Sequence, residues 1–129
     1  MLHAVLQPQE VEVFYIIPAL RSAIAKQLKS HGKPQKEIAY LLGLRESTVS
    51  QYMHEKRANL ITFSREIEKL IQKSALQIQQ PFDVVREIQM LLLVIKHSRE
   101  LCSIHQQINR NIPKQCDTCF IETLAEAKA

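Results

Sequence analysis

The stretch from Gln35 to Arg57, QKEIAYLLGLRESTVSQYMHEKR, constrains the fold of this chain more than any other. Its first half places Ile38, Ala39 and Leu42 at three- and four-residue spacing, which is the period of a half-buried helix. Gly43 follows the last of them, and glycine adopts a left-handed conformation without the penalty of a Cβ atom. The pattern therefore predicts a short helix that ends at Gly43 in a sharp turn.

A second helix is predicted after this turn, from about Glu46 to His54. Leu44 fills the corner between the two helices, while Val49 and Tyr52 face inward. The outer face of the second helix is then polar and available to a partner, and it comprises Arg45, Ser47, Thr48, Ser50, Gln51 and His54.

These residues resemble the helix-turn-helix of the phage-repressor and Cro-like (XRE-type) transcriptional regulators. The match includes the glutamine that opens the first helix, a small residue four positions later, the turn glycine, a β-branched core residue and the SQY that shortly precedes KR: Gln35, Ala39, Gly43, Val49, Ser50, Gln51, Tyr52, Lys56 and Arg57. The segments IPALR, EIAYLLGL and VSQYMHEKR are most similar to an archaeal and bacterial branch that carries this domain near the N-terminus. The resemblance covers about a third of the chain.

The resemblance implies a sequence-specific transcriptional regulator that inserts its second helix into the major groove of double-stranded DNA. Ser47, Thr48 and Gln51 are expected to contact base edges, and glutamine pairs with adenine through two hydrogen bonds. Arg45 is expected to contact a guanine or a phosphate. The expected phosphate contacts come from Lys33, Gln35, Lys36, Lys56 and Arg57.

The net charge of +4 is concentrated around the motif. From Arg21 to Lys73 there are eleven Lys and Arg against five Glu, whereas the rest of the chain carries six basic against eight acidic residues. A basic surface favours DNA, because neutralising phosphates releases counterions and supplies much of the affinity. Glu46 is the exception: it suits a helix N-terminus but repels phosphate unless it accepts from a cytosine amine.

Composition favours an all-α protein. The 129 residues include two Gly and no Trp, and they are rich in straight-chain residues that lose little rotamer freedom in a helix. This length suits one domain, or a small domain with an oligomerising extension. After a short lead-in from Met1 to Gln9, helices are predicted from Pro18 to Ser30, from Ser64 or Arg65 to Gln79, and onward from Asp83 as N-cap.

The helix that follows Asp83 has an unusually wide apolar arc. Its inner stripe is Val84, Ile88, Leu91, Leu92 and Ile95, and beside this stripe lie Met90, Leu93 and Val94. A buried central helix or a homodimer seam would account for the width. We favour the homodimer, because two-fold symmetric regulators read both halves of a palindromic operator. The predicted organisation is a DNA-binding domain at residues 1–62, a helical dimerisation region at 63–101, and a Cys/His segment with a tail at 102–129.

All three cysteines lie near the C-terminus, in two pairs with metal-ligand spacing. Cys102 and His105 are followed, after ten residues, by Cys116 and Cys119. Two such pairs predict a small metal-binding loop rather than a disulfide framework, although scattered thiols with a surface histidine are the alternative. Zinc is favoured because three thiolates and one imidazole are a common zinc set. An iron–sulfur cluster on the same ligands would instead make a redox sensor, and His97 is a spare ligand or a surface residue.

Other function classes receive less support. No Ser/His/Asp arrangement, phosphate-cradling glycine loop or His-Glu-x-x-His helix is present, so neither an enzyme nor a small-molecule substrate is predicted. A protein-interaction adaptor without DNA binding is the alternative from another class. The apolar run from Val13 to Ile17 lacks a preceding basic residue, and the longest run, from Met90 to Ile95, is too short for a bilayer, so a cytoplasmic protein is predicted.

Overall fold

The computed structural model describes residues 5–54, 61–109 and 111–113. Within these ranges the chain forms helices and no strand, which confirms the all-α prediction for this part of the protein. The helices are α1 (Pro8–Val11), α2 (Ile17–Ser30), α3 (Gln35–Leu42), α4 (Glu46–His54), α5 (Arg65–Leu76), α6 (Pro81–His97) and α7 (Glu100–Ile108), and a π-helical segment (Glu12–Ile16) joins α1 to α2. No helix in the described ranges combines the length and apolar composition needed to cross a membrane.

Helical structure begins earlier than the sequence predicts, within the supposed lead-in. Pro8 occupies the first helical turn, and the Gln7 N–H donates to the Glu10 carboxylate at 2.9 Å. The π-helical segment ends just before Pro18, whose ring lacks an N–H and would crowd the carbonyl four residues earlier in a regular α-helix. Val11 and Ile16 are fully buried, so the early helices belong to the core.

Helix α2 is the centre of the fold, because α3, α4 and α5 all pack against it. Its predicted inward stripe is confirmed, since Leu20, Ile24 and Leu28 are fully buried. Helix α6 packs on α3 and α5, and α7 packs on α6 and α1. Buried side chains from before and after residue 62 therefore belong to one hydrophobic core.

The predicted inner stripe of α6 is also confirmed, because its five apolar side chains are buried in the chain's own core. This burial accounts for the stripe without a second chain, and the homodimer stays a prediction. Met90 and Leu93 remain exposed on the rest of the helix surface. Helix α5 begins as predicted, with Ser64 accepting from the Ile67 N–H at 3.3 Å, but it ends at Leu76 rather than at Gln79.

The N-terminus of α6 differs from the prediction. Asp83 is not the N-cap, because the helix already begins at Pro81 and Gln80 is the capping residue. The Asp83 carboxylate lies one turn inside and accepts from the N–H groups of Gln79 at 2.9 Å and Gln80 at 3.1 Å. Arg86 also donates to Asp83, at 3.1 Å. Pro81 thus occupies the first position of the helix, to which its fixed φ is suited.

These contacts make stability sensitive to acid at Asp83. The Gln79 N–H lowers the pKa of Asp83 most; partial burial opposes this, and the Gln80 N–H and the Arg86 guanidinium add to the lowering. Since the folded pKa lies below the usual 3.8, the carboxylate stabilises the protein above that value and the contribution is lost as pH falls through the folded pKa.

We expect Asp83→Asn to flatten this acid dependence, since the amide side chain carries no charge to lose. Urea unfolding of both proteins at neutral pH and at a series of pH values below about 4 measures the effect. The free energy of unfolding should fall more steeply with acid in the wild-type chain. If the free energy of unfolding falls equally with acid in both proteins, Asp83 contributes no proton linkage.

Candidate nucleic-acid interface and metal ligands

The two short helices predicted between Gln35 and His54 are present, and a tight turn connects them. Gly43 has φ 64° and ψ 35°, in the left-handed region. The Gly43 N–H donates to the Tyr40 carbonyl at 3.3 Å, and the Leu44 N–H donates to the Ala39 carbonyl at 2.9 Å. This pair of bonds is the Schellman end of a helix. Apart from the adjoining backbone, no atom of the described residues lies within 4 Å of the position that a Cβ at Gly43 would take, so the backbone angle and not space requires glycine there.

Helix α4 starts at Glu46, and three residues separate it from the end of α3. The Arg45 carbonyl accepts from the N–H groups of Thr48 at 3.0 Å and Val49 at 3.2 Å, which begins the helical hydrogen bonding. Val49 is fully buried, and Tyr52 is half-buried against the core. Because α4 also packs on α2 and α3, its orientation relative to the rest of the domain is fixed by packing.

The outer face of α4 is polar and open to solvent. Ser47, Gln51 and His54 follow one another at four- and three-residue spacing, so they lie on one side of the helix, and all three are exposed. Arg45 and Glu46 are exposed at its start, while Thr48 is half-buried. Ser47 and Gln51 therefore share one accessible side of α4, and Arg45 is exposed just before the helix begins.

The expected phosphate contacts divide into three groups. Lys36 is exposed on α3, and Gln35 is half-buried at the first position of that helix. Lys33 forms an ion pair with Glu37 at 3.1 Å. Both partners of this pair are partly exposed, and such surface pairs contribute at most about 1 kcal/mol, so a phosphate can compete for Lys33. Lys56 and Arg57 lie outside the described residues.

The first pair of predicted metal ligands lies on a helix and not in a loop. Cys102 and His105 are three residues apart on α7 and therefore neighbours on its surface. Helix α7 is not among the helices predicted from the sequence. Leu101 and Ile104 are both buried, and their three-residue spacing is the sequence signal for a buried helix face. Cys116 and Cys119 lie outside the described residues.

His105 is buried, with 7% of its surface exposed, and its Nε2 atom has no hydrogen-bond partner among the described residues. Leaving a buried polar nitrogen unpaired costs about 1–3 kcal/mol, which a metal ion bound at that atom would offset. Within the described ranges, no three His, Cys, Asp or Glu side chains are grouped closely enough to hold a metal. A metal at His105 would therefore require ligands from outside the described residues, where the predicted ligands Cys116 and Cys119 lie. His97 is exposed at the end of α6, as expected for a surface residue.

Helix α7 is also tied to the segment that follows α4 in the chain. The Gln107 amide accepts from the Thr62 N–H at 3.1 Å and donates to the Thr62 carbonyl at 3.3 Å. Glu100 accepts from the Ser64 N–H at 2.6 Å. The sequence gives no local signal for these contacts, because they join residues 36 and 45 positions apart.

Comparisons with family models, with curated proteins and with solved structures returned no match for this chain. Function is therefore inferred from the geometry and charge of the site.

Proposed function

We propose that the chain is a sequence-specific DNA-binding transcriptional regulator that inserts α4 into the major groove. The proposal rests on the amphipathic character of α4, which has one buried side and one exposed polar side. Val49 is fully buried, whereas Ser47 and Gln51 are accessible on the other side. The major groove of B-DNA admits an α-helix, and short polar side chains and glutamine have hydrogen-bonding groups that match its base edges.

The charge around this face supports the same proposal. Arg45 at the start of α4 and Lys36 in the first turn of α3 are both exposed, and they belong to the half of the chain with the basic surplus. Such side chains bind phosphates without reading sequence, and they orient the helix that does. Glu46 then acts mainly at the positive end of the α4 dipole, where a carboxylate is favourable.

We expect Gln51→Ala to weaken binding to the selected operator by about 1–3 kcal/mol, because it removes a base-reading amide. Lys36→Ala should weaken binding to all sequences and lower the slope of log affinity against log salt by about one unit. The operator would be selected from a random DNA pool, and fluorescence anisotropy would then measure affinity for operator and random duplexes at several salt concentrations.

Lys96→Ala is the matched charge control, because Lys96 is exposed on α6 and lies outside the basic half of the chain. It should leave both affinity and salt slope unchanged. Equal losses on operator and random DNA for Gln51→Ala would refute its base-reading role. Absence of any DNA binding by the wild-type chain at low salt would favour the protein-interaction adaptor instead.

We further propose that Cys102, His105, Cys116 and Cys119 hold a zinc ion, with an iron–sulfur cluster on the same ligands as the alternative. The unpaired Nε2 atom of buried His105 supports this ligand set. Zinc would supply a closed structural crosslink, whereas a cluster would supply redox sensitivity.

Two roles are possible for such a site: it stabilises the end of the chain, or it makes DNA binding conditional on metal or redox state. The contacts from Gln107 to Thr62 and from Glu100 to Ser64 support the second role, because they connect the helix that carries Cys102 and His105 to the segment following α4. A homodimer completes the proposal, since a palindromic operator presents two half-sites about 34 Å apart.

A further inference from the structure

A groove of mixed polarity lies over the contact between α2 and α5. Its volume is about 280 Å³, and the segment from Ile61 to Phe63 closes it on one side. The lining residues of each helix have the spacing of a single helix face, and they are Ala19, Ser22, Ala23, Lys26 and Gln27 on α2 and Glu68, Ile71 and Gln72 on α5. The groove thus lies between two facing helix surfaces, and the small side chains of α2 leave space between them.

Ser22 lies in the middle of the α2 lining and is only 2% exposed. Its Oγ atom is screened from solvent and has no hydrogen-bond partner among the described residues. A buried hydroxyl without a partner is unfavourable, because it has lost its hydrogen bonds to water. A serine side chain turns readily between staggered rotamers, so a ligand in the groove can pair with this hydroxyl.

One basic and one acidic side chain flank the groove on opposite walls. Lys26 is half-buried on α2, and Glu68 is exposed on α5. No ion pair within the described ranges involves either of them. A ligand with a single charge would be attracted by one wall and repelled by the other, whereas a zwitterion is attracted by both.

The rest of the lining includes an apolar wall. Ile61 and Ile71 are buried, and the partly buried Phe63 packs against the same core. A cavity of about 150 Å³ holds benzene, while pockets for drug-sized molecules begin at about 300 Å³. The groove therefore suits a small metabolite with an apolar part, and it is too small for a peptide.

We propose that this groove binds a free α-amino acid with an apolar side chain. The carboxylate lies toward Lys26 and accepts from the Ser22 hydroxyl, since the two residues are neighbours on one helix face. The ammonium group lies toward Glu68, and the side chain of the amino acid contacts the apolar wall. Each charge of the ligand thus meets its opposite.

The ligand also contacts the segment that α7 holds by hydrogen bonds. Ile61 and Phe63 line the groove, and Thr62 between them is bound by Gln107. Helix α2, which forms the other wall, packs on α4. In the proposed regulator the amino acid is therefore an effector. This role rests on the proposed DNA binding, whereas binding of the amino acid does not.

Isothermal titration calorimetry of the full chain with each common L-amino acid tests the site. We expect at least one apolar amino acid to bind with a dissociation constant below about 1 mM. Its amide, which lacks the carboxylate, and its N-acetyl derivative, which lacks the ammonium group, should each bind at least about fivefold more weakly. Absence of binding by every amino acid, or equal binding of the three forms, would overturn the proposal.

Charge substitutions identify the side chain that meets each end of the ligand. Lys26→Gln should make the amino acid and its amide bind equally, because the carboxylate then has no cationic partner. Glu68→Gln should remove the preference over the N-acetyl derivative for the corresponding reason. Lys29→Gln and Glu66→Gln are the matched controls, because both residues are exposed on the same helices and lie outside the lining. They should preserve both preferences, and an undiminished preference in Lys26→Gln or Glu68→Gln refutes the assignment.

Ser22→Ala tests the unpaired hydroxyl. It should weaken binding of the amino acid by about 3- to 10-fold, as expected for the loss of one hydrogen bond. Urea unfolding of the free chain should show no loss of stability, since Oγ has no partner to lose among the described residues. Unchanged affinity in Ser22→Ala would exclude the hydroxyl from the site.

The ligand site and the regulator proposal fail separately. Fluorescence anisotropy with and without the bound amino acid should show operator affinity that differs by at least about fivefold. If the amino acid binds but the chain binds no DNA, the ligand site stands and the regulator falls. If a selected operator binds with the expected Gln51 dependence but no amino acid binds, the regulator stands and the ligand site falls. Unchanged operator affinity with the amino acid bound would refute the effector role alone.

Discussion

Shortening Ile38 to alanine is expected to lower the free energy of unfolding by about 2–5 kcal/mol. Ile38 is fully buried on α3, the helix that packs on α2, α4 and α6. Removing part of its side chain loses apolar burial and leaves a cavity that the surrounding helices fill only in part. Since small domains are stable by about 5–15 kcal/mol in total, the loss is a large fraction of the whole. Urea unfolding followed by circular dichroism measures it as a lower midpoint.

Tyr40→Ala on the same helix is the matched control. Tyr40 is 70% exposed, so its truncation should change stability by no more than about 0.5 kcal/mol. Both variants keep the helix-forming character of α3, and the comparison therefore isolates burial. Equal destabilisation by the two substitutions would contradict the packing of α3 and, with it, the support on which α4 rests.

The helices around the candidate DNA-reading face were predictable because their signals are local. Ile38 and Leu42 repeat at helical spacing, and Gly43 marks the end of α3. The buried position of Val49 follows from the same periodicity, as does the exposure of Gln51. These features depend on residues within one or two helical turns, which a single sequence displays directly. Contact of this face with DNA stays a prediction.

Other parts of the fold were not predictable from such signals. Asp83 is of a residue type that is favoured at the N-cap. It nevertheless lies within the first turn of α6, because Pro81 can occupy the first helical position. The Cys102 and His105 spacing was compatible with a tight turn or a helix end, whereas Leu101 and Ile104 have the spacing of a buried helix face. The predicted arc of α6 contained both the buried stripe and the exposed Met90 and Leu93, because only tertiary packing decides which part of an arc a chain buries itself.

The second large effect is expected at His105. Whether His105→Leu stabilises or destabilises the protein shows whether the imidazole binds a metal. If Nε2 of His105 binds no metal, His105→Leu removes a buried unpaired nitrogen and should stabilise the protein by about 1–3 kcal/mol. If His105 is a ligand, the same substitution removes metal binding, whose free energy is also folding free energy. We expect destabilisation of several kcal/mol together with loss of bound metal.

Protein purified without oxygen and analysed for metal provides the measurement, with urea unfolding of each variant beside it. A colourless wild-type chain with one zinc is expected, whereas a brown chain with visible absorbance indicates the cluster. His97→Leu is the control, because His97 is exposed, and it should retain both metal and stability. Stabilisation by His105→Leu with unchanged metal content would remove His105 from the ligand set.

Cys116→Ser then separates the two roles of the site. If the metal only stabilises the chain end, unfolding occurs at lower urea and DNA affinity per folded molecule is unchanged. If the site controls DNA binding, affinity changes while the fold persists, and Gln107→Ala should reduce that change because it breaks the hydrogen bonds from α7 to Thr62. The contacts of α7 with the segment following α4 favour the second outcome, since a shift of α7 reaches that segment through hydrogen bonds at Thr62 and Ser64.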